Sequence, residues 1–143
     1  MSEEKIVTAA LIIIGNEILS GRTRDANSNH LAIQLTEAGI DLREVRVISD
    51  DPDAIVAGVQ ALSAAYDVVF TSGGIGPTHD DITAENVARA FDRPISVRDD
   101  ARAILTAHYA AREQELNEAR LRMARIPEGA TLIDNPISAA PGF

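Results

Sequence analysis

Cysteine is absent from the 143-residue sequence. Disulfides, thiol nucleophiles, iron–sulfur clusters and thiolate zinc sites are therefore excluded. Tryptophan is absent as well, and aromatic residues make up only 3%, which argues against base-stacking platforms and aromatic cages. Positive charge is scarce: 13 Lys and Arg stand against 22 Asp and Glu, a formal net charge of −9. A general nucleic-acid binder needs a basic face to displace counterions, so that class of partner is not expected. A phosphate ligand stays compatible, because a local site can oppose the global charge. No apolar run approaches the ~20 residues needed to span a bilayer, so no membrane partner is expected. The longest run, residues 7–14, is strand-sized. The start, Met1-Ser2-Glu3-Glu4-Lys5, is acidic and lacks an apolar segment flanked by basic residues, so cytoplasm is the expected compartment. What the chain does have is 45% hydrophobic and 24% charged residues. That is the profile of one globular domain with a core of its own.

Residues 6–14 read as a fully buried strand, apolar on both faces and rich in β-branched side chains, as in a parallel sheet covered by helices. Gly15-Asn16-Glu17 ends it as a turn. Asn27 and Ser28 are the N-cap candidates of a helix carrying Leu31, Leu35 and Ala38, which Gly39 stops. Residues 40–48 predict a second strand. Asp50-Asp51-Pro52 then supplies a cap and a first-turn proline for a helix with Ile55, Val59 and Leu62. Residues 67–71 predict a third strand, followed by a glycine-rich loop and a helix that Thr83 would cap. This alternation predicts an α/β fold with a doubly wound, mostly parallel sheet. Right-handed crossovers bring the loops at residues 15–21, 49–53 and 72–81 to one edge, the edge where open α/β sheets bind ligands. Residues 98–125 read as mostly helical, with the alternating Arg and Glu or Asp as a solvated face, and residues 130–133 as a further strand.

Four groups of residues on that edge can carry chemistry. Ser72-Gly73-Gly74-Ile75-Gly76-Pro77-Thr78 follows a parallel strand, and its glycines let backbone N–H groups approach an anion such as phosphate. The alternative is a tight strand-to-helix turn. The stretch has neither the third glycine of the dinucleotide fingerprint nor the Gly-Lys-Ser/Thr of a P-loop. Asp80 and Asp81 come next; adjacent carboxylates beside a phosphate loop suit Mg²⁺, and helix capping is the competing use. Asp50 lies nearest the end of the second strand. Gly15, Asn16 and Glu17 lie at the end of the first, where Glu17 is a candidate to bind metal or a hydroxylated ligand, with an exposed turn glutamate as its alternative. His79 is a further candidate donor to phosphate, with solvation as its alternative.

These motifs resemble the MoaB/Mog family of molybdopterin-binding proteins, and within it the amino-terminal domain of the competence/damage-inducible protein CinA and its stand-alone relatives. The matching stretches are residues 15–21, 27–35 and 135–143 and, most specific, Gly73-Gly74-Ile75-Gly76-Pro77-Thr78-His79-Asp80-Asp81-Ile82-Thr83. The resemblance implies a three-layer α/β/α fold, a pterin phosphate over the glycine loop, and functional roles for Asp81 and Asp50. It further implies Mg²⁺ or another divalent cation at Asp81 and Asp80, and a homo-oligomer, dimer or trimer. Enzymes of this fold adenylylate molybdopterin, whereas CinA-type domains are associated with metal-dependent cleavage of ADP-ribose to AMP and ribose 5-phosphate. Ile75 replaces the Thr usual in the pathway enzymes, which favours the CinA-like group. Ser138-Ala139-Ala140-Pro141-Gly142 stands where many CinA-like chains have Gly-Thr-Ala-Pro-Gly. Family members continue beyond Phe143, so a single domain over residues 1–143, truncated at its C-terminal end, is expected. Three functions are compatible: a binder of molybdopterin or another phosphorylated small molecule, a metal-dependent nucleotide pyrophosphatase, and a non-enzymatic cofactor-binding scaffold.

Overall fold

The computed structural model describes residues 5–143. The acidic start read from residues 1–4 lies outside them. Two compact units divide the chain, the first ending at Gly73 and the second being Gly74–Phe143. No described helix is long and apolar enough to cross a membrane.

The first unit runs β1 (Thr8–Ile14), α1 (Asn16–Leu19), α2 (Asn27–Glu37), β2 (Asp41–Ile48), α3 (Pro52–Ala65) and β3 (Val68–Ser72). Both β2 and β3 pair with β1 in parallel, in the order β2-β1-β3. The central strand is the one whose sequence is apolar on both faces: Ala9, Ala10, Leu11, Ile12, Ile13 and Ile14 are all buried. Right-handed crossovers from β1 to β2, and then from β2 back across β1 to β3, require helices on opposite faces. Helix α3 covers the Ile12 face through Ile55, Val59 and Leu62; Gly58 there faces Ile12 and Ile48 at ordinary van der Waals distance. Its start is built as the sequence indicates. Asp51 is the N-cap, its carboxylate accepting from Ala54 N at 2.8 Å, and Pro52 is in the first turn.

Two local expectations for this unit are corrected. Asn27 and Ser28 do not cap α2; Ala26 holds the N-cap position without a side-chain bond. Asp25 takes over, accepting from Asn27 N at 2.9 Å, from Ser28 N at 3.3 Å and from the Ser28 hydroxyl. A carboxylate one residue earlier reaches the same orphan donors. The Ser28 hydroxyl, with help from both backbone amides, holds the Asp25 carboxyl below its ordinary pKa. The residues after Gly15 are one turn of helix, α1, rather than an open turn.

The second unit comprises α4 (Thr83–Ala90), β4 (Ile95–Val97), α5 (Asp99–Ala110), α6 (Glu118–Leu121), a 3-10 turn (Arg122–Ala124) and β5 (Arg125–Pro127). β4 and β5 pair antiparallel. Its core joins Ala101 and Leu105 of α5 to Met123, Ala124, Ile126 and Ala140, with Tyr109, Leu116 and Phe143 packed around them. The helix expected over residues 98–125 is therefore two helices, a 3-10 turn and the start of a strand. It breaks after Ala110, where residues 112–115 are all polar and Glu113 takes a left-handed φ of +54. The strand expected at residues 130–133 is reduced to a single bridge, Ile133 with Gly142. Thr83 does not cap α4. It is the first helical residue, fully buried, with Ile82 at the cap position.

Candidate functional site

In the first unit the strand ends carry a polar cluster. The order β2-β1-β3 reverses the direction of progress at β1, the arrangement whose carboxyl edge takes ligands in open α/β sheets. Asn16 and Asp50 pair reciprocally there. Asn16 N donates to Asp50 Oδ2 at 3.3 Å, and Asp50 N donates to Asn16 Oδ1 at 3.2 Å. This clamp, with Gly15 N donating to Ile48 O at 3.0 Å, ties the end of β1 to the end of β2. Ser72, at the end of β3, accepts from Asn27 Nδ2 at 2.6 Å. Gly73 follows with φ +96, and a Cβ there would collide with Ile14 O, so only glycine fits. The Glu17 carboxylate folds back over Gly15, with Oε1 2.6 Å from where a Cβ would stand.

In the second unit the loop from Gly74 to Asp81 closes on itself. Asp81 Oδ2 accepts from both Thr78 N and Thr78 Oγ1 at 2.9 Å, and Asp81 N donates to Thr78 O at 3.1 Å. Gly74 has φ +70, and its carbonyl accepts from Thr83 N at 3.1 Å. The backbone at Gly76 passes so near Asp81 that a Cβ would stand 2.8 Å from Oδ2. Among the described residues, the N–H groups of Gly74, Ile75 and Gly76 make no hydrogen bond. The three residues are half-buried. Pro77 has no N–H to add. His79 Nε2 lies 3.4 Å from Asp80 Oδ1 on the exposed outer side of the loop.

A recess of about 30 Å³ is lined by Gly74, Gly76, Asp81, Ile126 and two arginines, Arg122 and Arg125. A larger concavity of about 720 Å³ is lined by Thr78, His79, Asn117, Glu118, Arg120 and, again, Arg122. Such a volume is in the range of small-molecule pockets. Reading the alternating charges of residues 98–125 as a solvated face passed over both recess arginines. The signal available was their spacing: positions i and i+3 of a 3-10 turn lie on one side, and the intervening Met123 and Ala124 are buried. Among the described residues, no group of three or more His, Asp or Glu is arranged to hold a metal ion on its own.

An α/β chain with a parallel 2-1-3 sheet and a glycine loop after its third strand is the class defined so far. The chain belongs to the family described as "Probable molybdopterin binding domain", whose match covers residues 10–143. It is similar to a CinA-like protein of Desulfosudis oleivorans, 38% identical over 94% of this chain and 33% of that protein. The solved protein CinA of Thermoplasma acidophilum is 37% identical, with a TM-score of 0.89 over 96% of this chain and 80% of that one. The tungsten cofactor synthesizing protein MoaB of Pyrococcus furiosus shares the fold at a TM-score of 0.55, with 22% identity, over 76% of this chain and 66% of its own. These likenesses establish the three-layer α/β/α MoaB/Mog-like fold and the CinA-type group. The chain spans between a third and about half the length of the curated relatives it matches, 33% and 52% in two cases.

Proposed function

We propose that this chain binds a phosphorylated small molecule of the molybdopterin class, its phosphate held by the main-chain amides of Gly74, Ile75 and Gly76. The observation that carries the reading is the set of three consecutive N–H groups without a protein partner. An oxyanion placed against them would give all three donors a charged acceptor at once. Gly73 and Gly74, with positive φ, set the bend that exposes these amides. The family to which the chain belongs supports the pterin as the ligand. Asp81 holds the loop in shape through Thr78 and lines the recess.

A divalent cation fits this arrangement only as a partner of the phosphate. Mg²⁺ is commonly held by one or two carboxylates plus substrate oxygens, and Asp81 Oδ1 has no protein partner among the described residues. Asp80 is the second candidate ligand. Bound there, Mg²⁺ would neutralise charge between Asp81 and the phosphate.

Calorimetry with molybdopterin, with and without Mg²⁺, checks the reading. Saturable heat that excess inorganic phosphate suppresses is expected, weakened by Asp81→Ala. Absence of heat from the intact chain in both conditions would overturn it. Cleavage of ADP-ribose is a second proposal, favoured by the concavity beside Thr78 and His79, which has room for a nucleoside. Chelator-sensitive release of AMP supports it, and a flat time course across several divalent metals removes it.

A further inference from the structure

Arg122 and Arg125 are half-buried and line the same small recess as Gly74, Gly76 and Asp81. Among the described residues, neither guanidinium makes a hydrogen bond or an ion pair. The guanidiniums of Arg24, Arg93 and Arg102 are also without a partner among the described residues, but those side chains are exposed, whereas Arg122 and Arg125 are half-buried. Other arginines of this chain are engaged: Arg98 with Asp100 at 2.7 Å, Arg46 with Glu44, and Arg120 over the ring of Tyr109 at 4.6 Å. The two recess arginines are also held in place. They stand at the first position of the 3-10 turn and the first position of β5, three residues apart, which puts them on one side of the turn. Met123 and Ala124 anchor that turn in the core. Among the described residues, Asp81 supplies the one side-chain carboxylate lining the recess, and its Oδ2 is occupied by Thr78. Two guanidiniums and three unpaired amides thus face the same recess.

We infer that Arg122 and Arg125 form a guanidinium pair that binds the ligand's phosphate from the side opposite the amides and selects for a dianionic group. Arginine suits the task because its planar fork meets phosphate oxygens in pairs and stays charged at any working pH. A phosphate monoester carries nearly two negative charges at neutral pH, so each guanidinium attracts it about twice as strongly as it attracts a monoanion at the same distance. Arg122 also lines the larger concavity beside Thr78 and His79. It therefore stands where the phosphate joins the rest of the ligand, and Arg125 is confined to the phosphate end. This inference rests on the glycine-loop reading and adds to it the residues that set affinity and charge preference.

The test is an amide-resolved NMR titration at about pH 8 with two probes, inorganic phosphate and dimethyl phosphate, the second a monoanion. The intact chain should show phosphate-dependent shifts at Gly74, Ile75 and Gly76, with phosphate bound more tightly than its dimethyl ester. Arg122→Gln and Arg125→Gln should each weaken phosphate about tenfold or more and reduce the preference over the diester, with the loop amides still the responding set. Arg122→Lys and Arg125→Lys keep the charge without the fork. They should retain an intermediate affinity, and they report the same result if a Gln variant fails to fold. Unchanged phosphate affinity in the folded Gln or Lys variants, with the loop amides responding, overturns the arginine pair and leaves the loop reading intact. No response of the loop amides in the intact chain overturns both.

Discussion

Asp81 Oδ2 accepts two hydrogen bonds from Thr78, one from the backbone N–H and one from the hydroxyl, each 2.9 Å long. The carboxylate that family resemblance marks as functional is thus also the strut of its own loop. The two roles separate by substitution. Asn keeps an oxygen acceptor for Thr78 but loses the charge, whereas Ala loses both. Asp81→Asn is expected to retain phosphate binding and lose any increment that Mg²⁺ adds. Asp81→Ala is expected to weaken binding with and without the metal and to broaden the amide signals of residues 74–78. Calorimetry of both variants, with and without Mg²⁺, checks this. Equal loss in both, confined to the Mg²⁺ increment, would contradict the strut.

The bend at Gly74 is guarded by Thr83. The backbone has φ +70, and a Cβ would run into the buried Thr83 hydroxyl. Gly74→Ala therefore combines left-handed strain, about 1–2 kcal/mol for an L-residue, with a clash that the packed helix start relieves only by moving. A loss of about 2–4 kcal/mol in urea unfolding is expected. A double variant with Thr83→Ala removes the clash but not the strain, so it should lose less than the sum of the two single effects. Additive losses would contradict contact between these positions.

Helix α3 depends on its cap. Asp51→Ala removes the acceptor for Ala54 N and should cost about 1 kcal/mol. Asp51→Asn should restore most of it. Urea denaturation of the three proteins provides the comparison, and an Asp51→Ala midpoint equal to the wild type would contradict the cap.

Asp67 makes the stability pH-dependent. Its carboxylate accepts from Thr8 N at 2.9 Å, from the Thr8 hydroxyl at 3.1 Å and from Lys5 Nζ at 3.1 Å. The Thr8 amide, followed by Lys5 and the Thr8 hydroxyl, holds its pKa below the ordinary 3.8. A folded value below the unfolded one means the stabilisation is complete above the unfolded pKa. It disappears as pH falls through the lower folded value. The Tm of Asp67→Asn should therefore lie below that of the wild type at neutral pH, with the gap closing below about pH 4. A gap that widened on acidification would contradict the assignment.

The first unit was readable because its signals are local. An apolar run on both faces makes β1 a central strand, and Asp51-Pro52 marks the start of α3. The second unit was not, because β4 and β5 are three-residue strands that pair across a long stretch of chain. Neither shows a period of its own. The glycine loop was legible as a motif, and its free amides became visible only with the hydrogen bonds assigned. Asp50 was chosen for its place at a strand end; its pairing with Asn16, the first residue of α1, is a contact across 34 positions that no spacing encodes. Arg122 and Arg125 were hidden because alternating charge is the ordinary pattern of a solvated face, and the burial of Met123 and Ala124 between them is a tertiary contact that spacing does not encode.

The most direct measurement is electron density for the chain crystallised with a phosphorylated pterin. The account predicts phosphate oxygens within hydrogen-bond distance of the nitrogens of Gly74, Ile75 and Gly76, with the loop shape kept by Asp81 and Thr78. Ligand phosphate bound elsewhere, with those three nitrogens facing solvent or paired within the protein, would contradict it.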